Sequence, residues 1–113
     1  MDDLTQKHCV PCEGGVDPFT PEEIEKYNSV LATPWDVVDH KKIKREFKFK
    51  DFKEAMKFVN RVAEIAESEG HHPDIYIFYN KVRLELWTHA IGGLSINDFI
   101  LAAKIEHLLS SQI

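Results

Sequence analysis

Three of the chain's six histidines lie close together in the sequence, as His71, His72 and His89. An imidazole titrates near neutral pH, so several imidazoles around one substrate can both give and take protons. Imidazole is also the commonest metal ligand in proteins, and a group of histidines can simply line a polar surface groove. The residue types and their spacing therefore leave acid/base catalysis, metal binding and a polar surface as alternatives.

The segments around these histidines predict that they meet in space. A helix should end just before His71, and Pro73 requires extended backbone at His72 and begins a strand. A β-hairpin that turns near residues 80 and 81 would bring His89 back to the end of the sheet where the histidine pair lies. Adjacent side chains on extended backbone point in opposite directions, which disfavours joint metal ligation by the pair.

Capping residues indicate where three helices begin. Thr20 is a typical N-cap and is followed by a proline and two acidic residues. Asp51, with Glu54 three residues later, predicts a capping box for the second helix, and Gly70 fits a left-handed helix end. Ser95 predicts the start of the third helix.

The second helix has apolar residues at helical spacing that should form its buried stripe. Phe58 and Ile65 lie beside this stripe and would either widen it or face a second chain. The stripe consists of Phe52, Ala55, Met56, Val59, Val62, Ala63 and Ala66.

Four segments have strand patterns, at positions 35–38, 43–49, 75–79 and 82–87. In the second segment Ile43, Phe47 and Phe49 share one face, with Arg45 as the exception. Hairpin connections would make the sheet antiparallel. The sequence therefore predicts an α+β fold in which three helices pack on one face of a four-stranded antiparallel sheet, in the order α-β-β-α-β-β-α.

Length and charge limit the classes of function. The 113 residues suit a single domain over positions 1–113, with an extended N-terminal segment at 1–19. A net charge of −5 disfavours direct nucleic-acid binding, which needs clustered positive charge. No apolar run is long enough for a bilayer and no signal peptide opens the chain, so we expect no membrane association. The expected location is cytoplasmic, and also nuclear in a eukaryote.

Cys9 and Cys12 are the only cysteines, and they follow His8 in the order His-Cys-Val-Pro-Cys. Such spacing can supply half of a zinc site or a redox pair. A structural zinc site needs four ligands, and the chain has no second cysteine pair. A local turn or an interaction feature is therefore the favoured interpretation.

The third and fourth strands carry apolar or aromatic residues on both faces, and the last helix is apolar over a wide arc. A monomer would leave much of this surface in water. We therefore expect a homo-oligomer, a dimer or a tetramer.

The histidines belong to a longer pattern that resembles the pterin-4a-carbinolamine dehydratase family. Residues 47–52 resemble the family's strand-to-helix junction, and residues 9–15 are similar to the opening of many members. The pattern itself runs without an insertion through Glu67, His71-His72-Pro73, Tyr79-Asn80-Lys81-Val82, Thr88-His89, Gly93-Leu94-Ser95 and Asp98.

The resemblance implies the same fold and a dehydratase that needs no metal and no cofactor. Its substrate would be 4a-hydroxytetrahydrobiopterin, which pterin-dependent aromatic amino-acid hydroxylases leave behind, and its products quinonoid dihydropterin and water. It also implies dimers that join sheets and tetramers that pack helices. The animal relative binds a homeodomain transcription factor, so a transcription regulator or a hydroxylase is a candidate protein partner. A binding module of this kind and a role in another pterin pathway, such as molybdopterin metabolism, are the alternatives.

The resemblance assigns catalysis to His71, His72 and His89. A hydroxyl group leaves poorly unless it is protonated, so the reaction needs a general acid, and the cation that forms must lose a proton to a base. His71 and His89 would protonate the hydroxyl. His72 would hold the pterin or accept a proton.

Four further residues of the pattern are expected to bind substrate or to support the histidines. Glu67 lies one helical turn before the histidine pair and could orient an imidazole, or it could be an exposed acid at the helix end. Pro73 would shape the pocket wall. Asp98 is a helix-capping acid that could steady the loop of the third histidine through its cap, and Thr88 lies in the same loop.

Overall fold

In the residues that the structure describes, the chain forms one four-stranded antiparallel sheet and three α-helices, in the order α-β-β-α-β-β-α that the sequence predicts. A computed structural model describes residues 4–10 and 17–110. No helix in these two ranges is long and apolar enough to cross a membrane. The elements are α1 Pro21–Asn28, β1 Asp36–Val38, β2 Lys42–Lys48, α2 Phe52–Glu69, β3 Asp74–Phe78, β4 Lys81–Leu86 and α3 Ile96–Ser110.

The order of strands across the sheet is β1-β2-β4-β3, so β3 lies at an edge. Strands β3 and β4 form the predicted hairpin, with Asp74 opposite Glu85 and Phe78 opposite Lys81. Its turn falls on residues 79 and 80, one position earlier than expected, and Tyr79 takes a positive φ of 55° there. The hairpin returns the chain to the end of the sheet at which α2 finishes.

The predicted helix ends are formed by side-chain and backbone hydrogen bonds. Thr20 and Glu23 form a full capping box at the start of α1. At the start of α2 the Asp51 carboxylate accepts a hydrogen bond from the backbone N–H of Glu54 at 2.9 Å, which is half of the predicted capping box. The Glu54 carboxylate accepts instead from the Lys57 ammonium at 3.4 Å. Gly70 ends α2 with a φ of 65°, a conformation that strains any residue with a Cβ. The chain can therefore turn out of α2 immediately before the histidine pair.

The core lies between the helices and one face of the sheet, and the stripe of α2 differs in part from the expected one. Phe58 is fully buried, because positions 55, 58, 62 and 66 lie on one face of a helix. Phe52 at the helix start is 48% exposed, and Ala63 is exposed because it lies about a quarter-turn from Val62. Phe58 thus widens the stripe.

Arg45, the polar exception on the core face of β2, is neutralised by α3. Its guanidinium donates to the Glu106 carboxylate at 2.8 Å and lies 4.6 Å from the centre of the Phe47 ring. The same carboxylate accepts hydrogen bonds from the backbone N–H groups of Ala32 and Thr33, each at 3.1 Å. The Glu106 carboxylate therefore connects α3 to β2 and to the loop after α1.

The N-terminal segment, expected to be extended over 1–19, contains one turn of 3-10 helix at Leu4–Gln6. This turn buries the Leu4 side chain in the core, to 4% exposure. Lys104 of α3 donates to the carbonyl of Thr5 at 3.1 Å. The segment is therefore attached to α3.

Candidate active site

A cavity of about 340 Å³ opens where α2 leads into β3 and where β4 ends. The hairpin brings His89 to the same place as His71 and His72, as the sequence predicts. The three histidines share the lining with Val10, Trp87, Thr88 and Asn97.

His71 is held by Asp98, a fully buried carboxylate in the first turn of α3. The His71 Nε2 atom lies 2.6 Å from Asp98 Oδ1. The other oxygen, Oδ2, accepts from the Thr88 hydroxyl at 2.9 Å and from the Ser95 backbone N–H at 3.0 Å. Since a carboxylate only accepts hydrogen bonds, His71 carries a proton on Nε2 and keeps Nδ1 for another partner.

Thr88 and Ser95 extend this set of hydrogen bonds across the loop. The Thr88 hydroxyl donates to Asp98, so it accepts from the Ser95 hydroxyl, at 2.8 Å. The backbone N–H of Asn97 donates to the Ser95 oxygen at 3.2 Å. Asp98 is therefore the helix-capping acid that the sequence predicts and also the partner of His71, which the sequence did not reveal.

His72 pairs with Glu67, whose carboxylate oxygen lies 2.5 Å from the His72 Nε2 atom. Both side chains are well exposed, so solvent screens the pair and it contributes little to stability. Its effect is to orient the ring. Pro73 is half-buried and leads from His72 into β3.

His89 begins a short 3-10 helix, His89–Ile91, and its ring stacks on the Trp87 indole. The two ring centres are 3.9 Å apart and the ring planes are inclined by 23°. Trp87 was not predicted as a site residue, although residues two apart on extended backbone share a face. Trp87 therefore supports the imidazole from one side.

The loop that carries His89 is closed by backbone contacts. Thr88 donates from its N–H to the Gly93 carbonyl at 2.8 Å, and Gly92 takes a φ of 65°. A Cβ on Gly93 would come within 2.6 Å of Pro18, so only glycine fits at this contact. The loop is thus fixed both to itself and to the segment before α1.

Cys9 and Glu69 form a second group of titratable side chains close to the cavity. Burial raises the pKa of the Cys9 thiol to about 12, with further contributions from the Glu69 and Asp98 carboxylates. This thiol is protonated at neutral pH and is a poor nucleophile or metal ligand. The predicted role of the cysteine pair stays a prediction, because Cys12 lies outside the described residues. Within those residues, no three His, Cys, Asp or Glu side chains are grouped as metal ligands would be.

Three imidazoles around an open cavity, two of them paired with carboxylates, form a set of groups suited to proton transfer. A profile of the pterin 4 alpha carbinolamine dehydratase family matches residues 17–108. The chain belongs to this family.

Individual relatives match nearly the whole chain. The putative pterin-4-alpha-carbinolamine dehydratase of Nitrosomonas europaea is 50% identical over 109 residues, which cover 96% of each chain. The protein of the same description from Alkaliphilus metalliredigens is 45% identical over 94% of this chain and 96% of its own. A solved structure described as a transcriptional coactivator/pterin dehydratase from Brucella melitensis is 34% identical. It superposes with a TM-score of 0.76 over 81% of this chain and 98% of that chain.

Proposed function

We propose that the cavity lined by His71, His72 and His89 is the site where this chain dehydrates a 4a-hydroxytetrahydropterin. The reaction is that of pterin-4a-carbinolamine dehydratase, a hydro-lyase that recycles a pterin cofactor. The observation that carries the assignment to this cavity is the meeting of three imidazoles, one of them fixed by the buried Asp98.

The chemistry requires one proton to be given and one to be taken. The lone pair of the ring nitrogen next to C4a forms a double bond to that carbon while the C4a–oxygen bond breaks. The hydroxyl takes a proton from a general acid and leaves as water. The resulting cation then loses a proton to a base, which gives the neutral quinonoid dihydropterin. The enzyme's groups return to their starting protonation when these two protons are exchanged among them.

The histidines divide these tasks according to their partners. Asp98 fixes the proton of His71 on Nε2, so Nδ1 is the atom that would exchange a proton with substrate. His89 would serve as the second acid, with its ring held by Trp87. His72, exposed and oriented by Glu67, would hold the pterin or accept the proton that the cation loses. The contacts support this division because each ring is oriented by a different group.

The test is dehydration of a 4a-hydroxytetrahydropterin by the purified protein in a buffer that contains a metal chelator. We expect acceleration over the uncatalysed reaction, and a loss of turnover when His71 and His89 are both replaced by Ala. His40→Asn is the control, because His40 lies exposed in the β1–β2 turn at a φ of 55°, which Asn tolerates. A wild-type protein without acceleration would overturn the proposal.

We also propose that the chain forms a homo-oligomer through the edge strand β3. This strand and the turn after it present Tyr76, Ile77, Phe78 and Tyr79, which are 37% to 66% exposed. An exposed apolar edge strand is a template for pairing, and two copies can pair it antiparallel about a twofold axis. Binding of a transcription regulator or a hydroxylase, which the resemblance also implies, stays a prediction.

Sedimentation of two matched variants tests this assembly. Phe78 and Phe52 are almost equally exposed, at 49% and 48%, but only Phe78 lies in β3. Phe78→Glu should produce monomers, because charged side chains on an edge strand disfavour pairing with a second strand. Phe52→Glu should leave the oligomer intact. A monomeric wild type, or a dimer that survives Phe78→Glu, would contradict pairing through β3.

A further inference from the structure

The segment before α1 contributes an apolar side chain to the cavity. Val10 lines the cavity with the three histidines, and its side chain is 62% exposed. Its backbone is bound at both polar groups by Asn97 of α3. The Asn97 amide donates to the Val10 carbonyl at 2.7 Å and accepts from the Val10 N–H at 3.1 Å. Asn97 is only 3% exposed, so a buried amide is dedicated to fixing one exposed residue.

A second anchor holds the residues just before Val10. Glu69, the last residue of α2, accepts the Cys9 backbone N–H at 2.7 Å and lies 3.1 Å from the His8 ring. Lys104 of α3 lies 3.5 Å from the same carboxylate. N-terminal segments usually fray unless they are tied down, and this one is tied at two successive residues. Both anchors belong to the elements that also hold His71, the end of α2 and the first turn of α3.

We propose that Val10 is a wall of the pterin pocket and that Asn97 is the positioning residue that places it, an inference that rests on the proposed function. A flat heterocycle in this cavity would cover the exposed isopropyl group and gain from removing it from water. Val10 carries no group that can transfer a proton, so it contributes to binding and not to the proton steps. Asn97 acts only through the backbone of Val10.

Steady-state kinetics of Val10→Ala test whether Val10 forms a wall of the pterin pocket. We expect KM to rise about three- to fivefold, the order expected when two partly buried methyl groups are lost, with kcat unchanged. Val30→Ala is the matched control, because Val30 follows α1, is 46% exposed and does not line the cavity. It should leave both constants unchanged. Equal KM values for Val10→Ala and wild type would overturn the proposal.

Asn97→Ala tests the positioning role. It should raise KM at least as much as Val10→Ala, and the double variant should show no further rise because both act on one wall. A purely structural asparagine would instead lower the melting temperature and leave KM at its wild-type value. If Asn97→Ala does not fold, Val10→Ala still decides, since its exposed side chain is not needed for folding.

Binding of a 6-substituted 7,8-dihydropterin, measured by calorimetry, separates this inference from the proposed function. This probe lacks the leaving hydroxyl, so its affinity does not depend on catalysis. A wild type that dehydrates substrate, with unchanged probe affinity in Val10→Ala, would refute the wall and leave the function standing. A wild type without activity would remove the function, and unchanged probe affinity would then refute the wall as well.

Discussion

Replacing the Asp98 carboxylate by an amide should separate its two roles, as cap of α3 and as partner of His71. Thr88 and Ser95 both donate to Oδ2, whereas His71 meets Oδ1. In Asp98→Asn the amide oxygen can take the Oδ2 position and keep the first two hydrogen bonds. The amide nitrogen then faces His71 Nε2, so two donors meet where one donor and one acceptor met before.

The size of the effect follows from this one contact. Losing a hydrogen bond to a charged group in a buried site costs about 1.5–3 kcal/mol of stability. For a chain of this size the melting temperature should fall on the order of 10 °C. To relieve the clash His71 must carry its proton on Nδ1 and accept at Nε2, or turn its ring away. The first change leaves no carboxylate to hold a proton on Nε2 while Nδ1 exchanges its proton with substrate, and the second moves Nδ1 out of position. In either case kcat should fall by roughly a hundredfold or more, the contribution of one general acid.

The assay is turnover and thermal unfolding of Asp98→Asn beside Asp51→Asn. Asp51 is the matched control, because it caps the start of α2 through the Glu54 N–H at 2.9 Å, whereas the histidine pair follows the other end of that helix. Asp51→Asn should leave kcat unchanged and the melting temperature close to that of wild type, because Asn caps a helix about as well as Asp. If Asp98→Asn keeps wild-type kcat, the orienting role assigned to Asp98 is wrong.

Three further predictions concern single side chains. Replacing His71 or His89 singly by Ala should reduce kcat by about a hundredfold, the factor typical of one general acid, and the double variant should lose far more; full loss of activity in His71→Ala beside an unchanged His89→Ala would exclude shared acids. With Cys12→Ala as background, Cys9 should be alkylated slowly by iodoacetamide at mildly alkaline pH, since burial raises its pKa to about 12, and rapid reaction would contradict this. Burial alone would raise the pKa of Glu69, but the hydrogen bonds from the Cys9 N–H and the His8 ring, together with the nearby Lys104 ammonium, outweigh burial and lower it from 4.5. The difference in free energy of unfolding between wild type and Glu69→Gln, measured with urea, should therefore be present above pH 4.5 and disappear as the pH falls through the lower folded-state pKa of Glu69. A difference that does not depend on pH would count against this.

The sequence was most informative where contacts are local. Gly70, Pro73 and the hairpin turn together place His89 beside the histidine pair, because each acts on its own few residues and the antiparallel pairing does the rest. The helix caps at Thr20 and Asp51 were predicted for the same reason. Phe58 is fully buried although the sequence placed it beside the predicted stripe of α2, because a shift of one residue on a helix moves the buried face by about a quarter-turn.

Contacts between distant segments could not be read from the pattern. The role of a helix cap fully explains an acidic residue at position 98, and Asp98 does cap α3. The neighbouring sequence therefore gives no indication that the other carboxylate oxygen reaches His71. Val10 lies outside the helices and strands, and only the folded chain places it against Asn97. The packing of α2, β4 and α3 determines these contacts, and the spacing of residues along the chain does not predict that packing.

Two neighbouring residues in the first turn of α3 divide the support of the cavity between them. Successive side chains on a helix point about 100° apart, so Asp98 and Asn97 face different neighbours from one rigid turn. Asp98 reaches His71 at the end of α2, and Asn97 reaches the backbone of Val10. The proposed acid and the proposed wall are therefore fixed relative to each other by a single turn of helix. Such an arrangement would hold the proposed acid and the proposed wall in fixed places around a bound substrate, and preorganisation of that kind is what proton transfer to a leaving group requires.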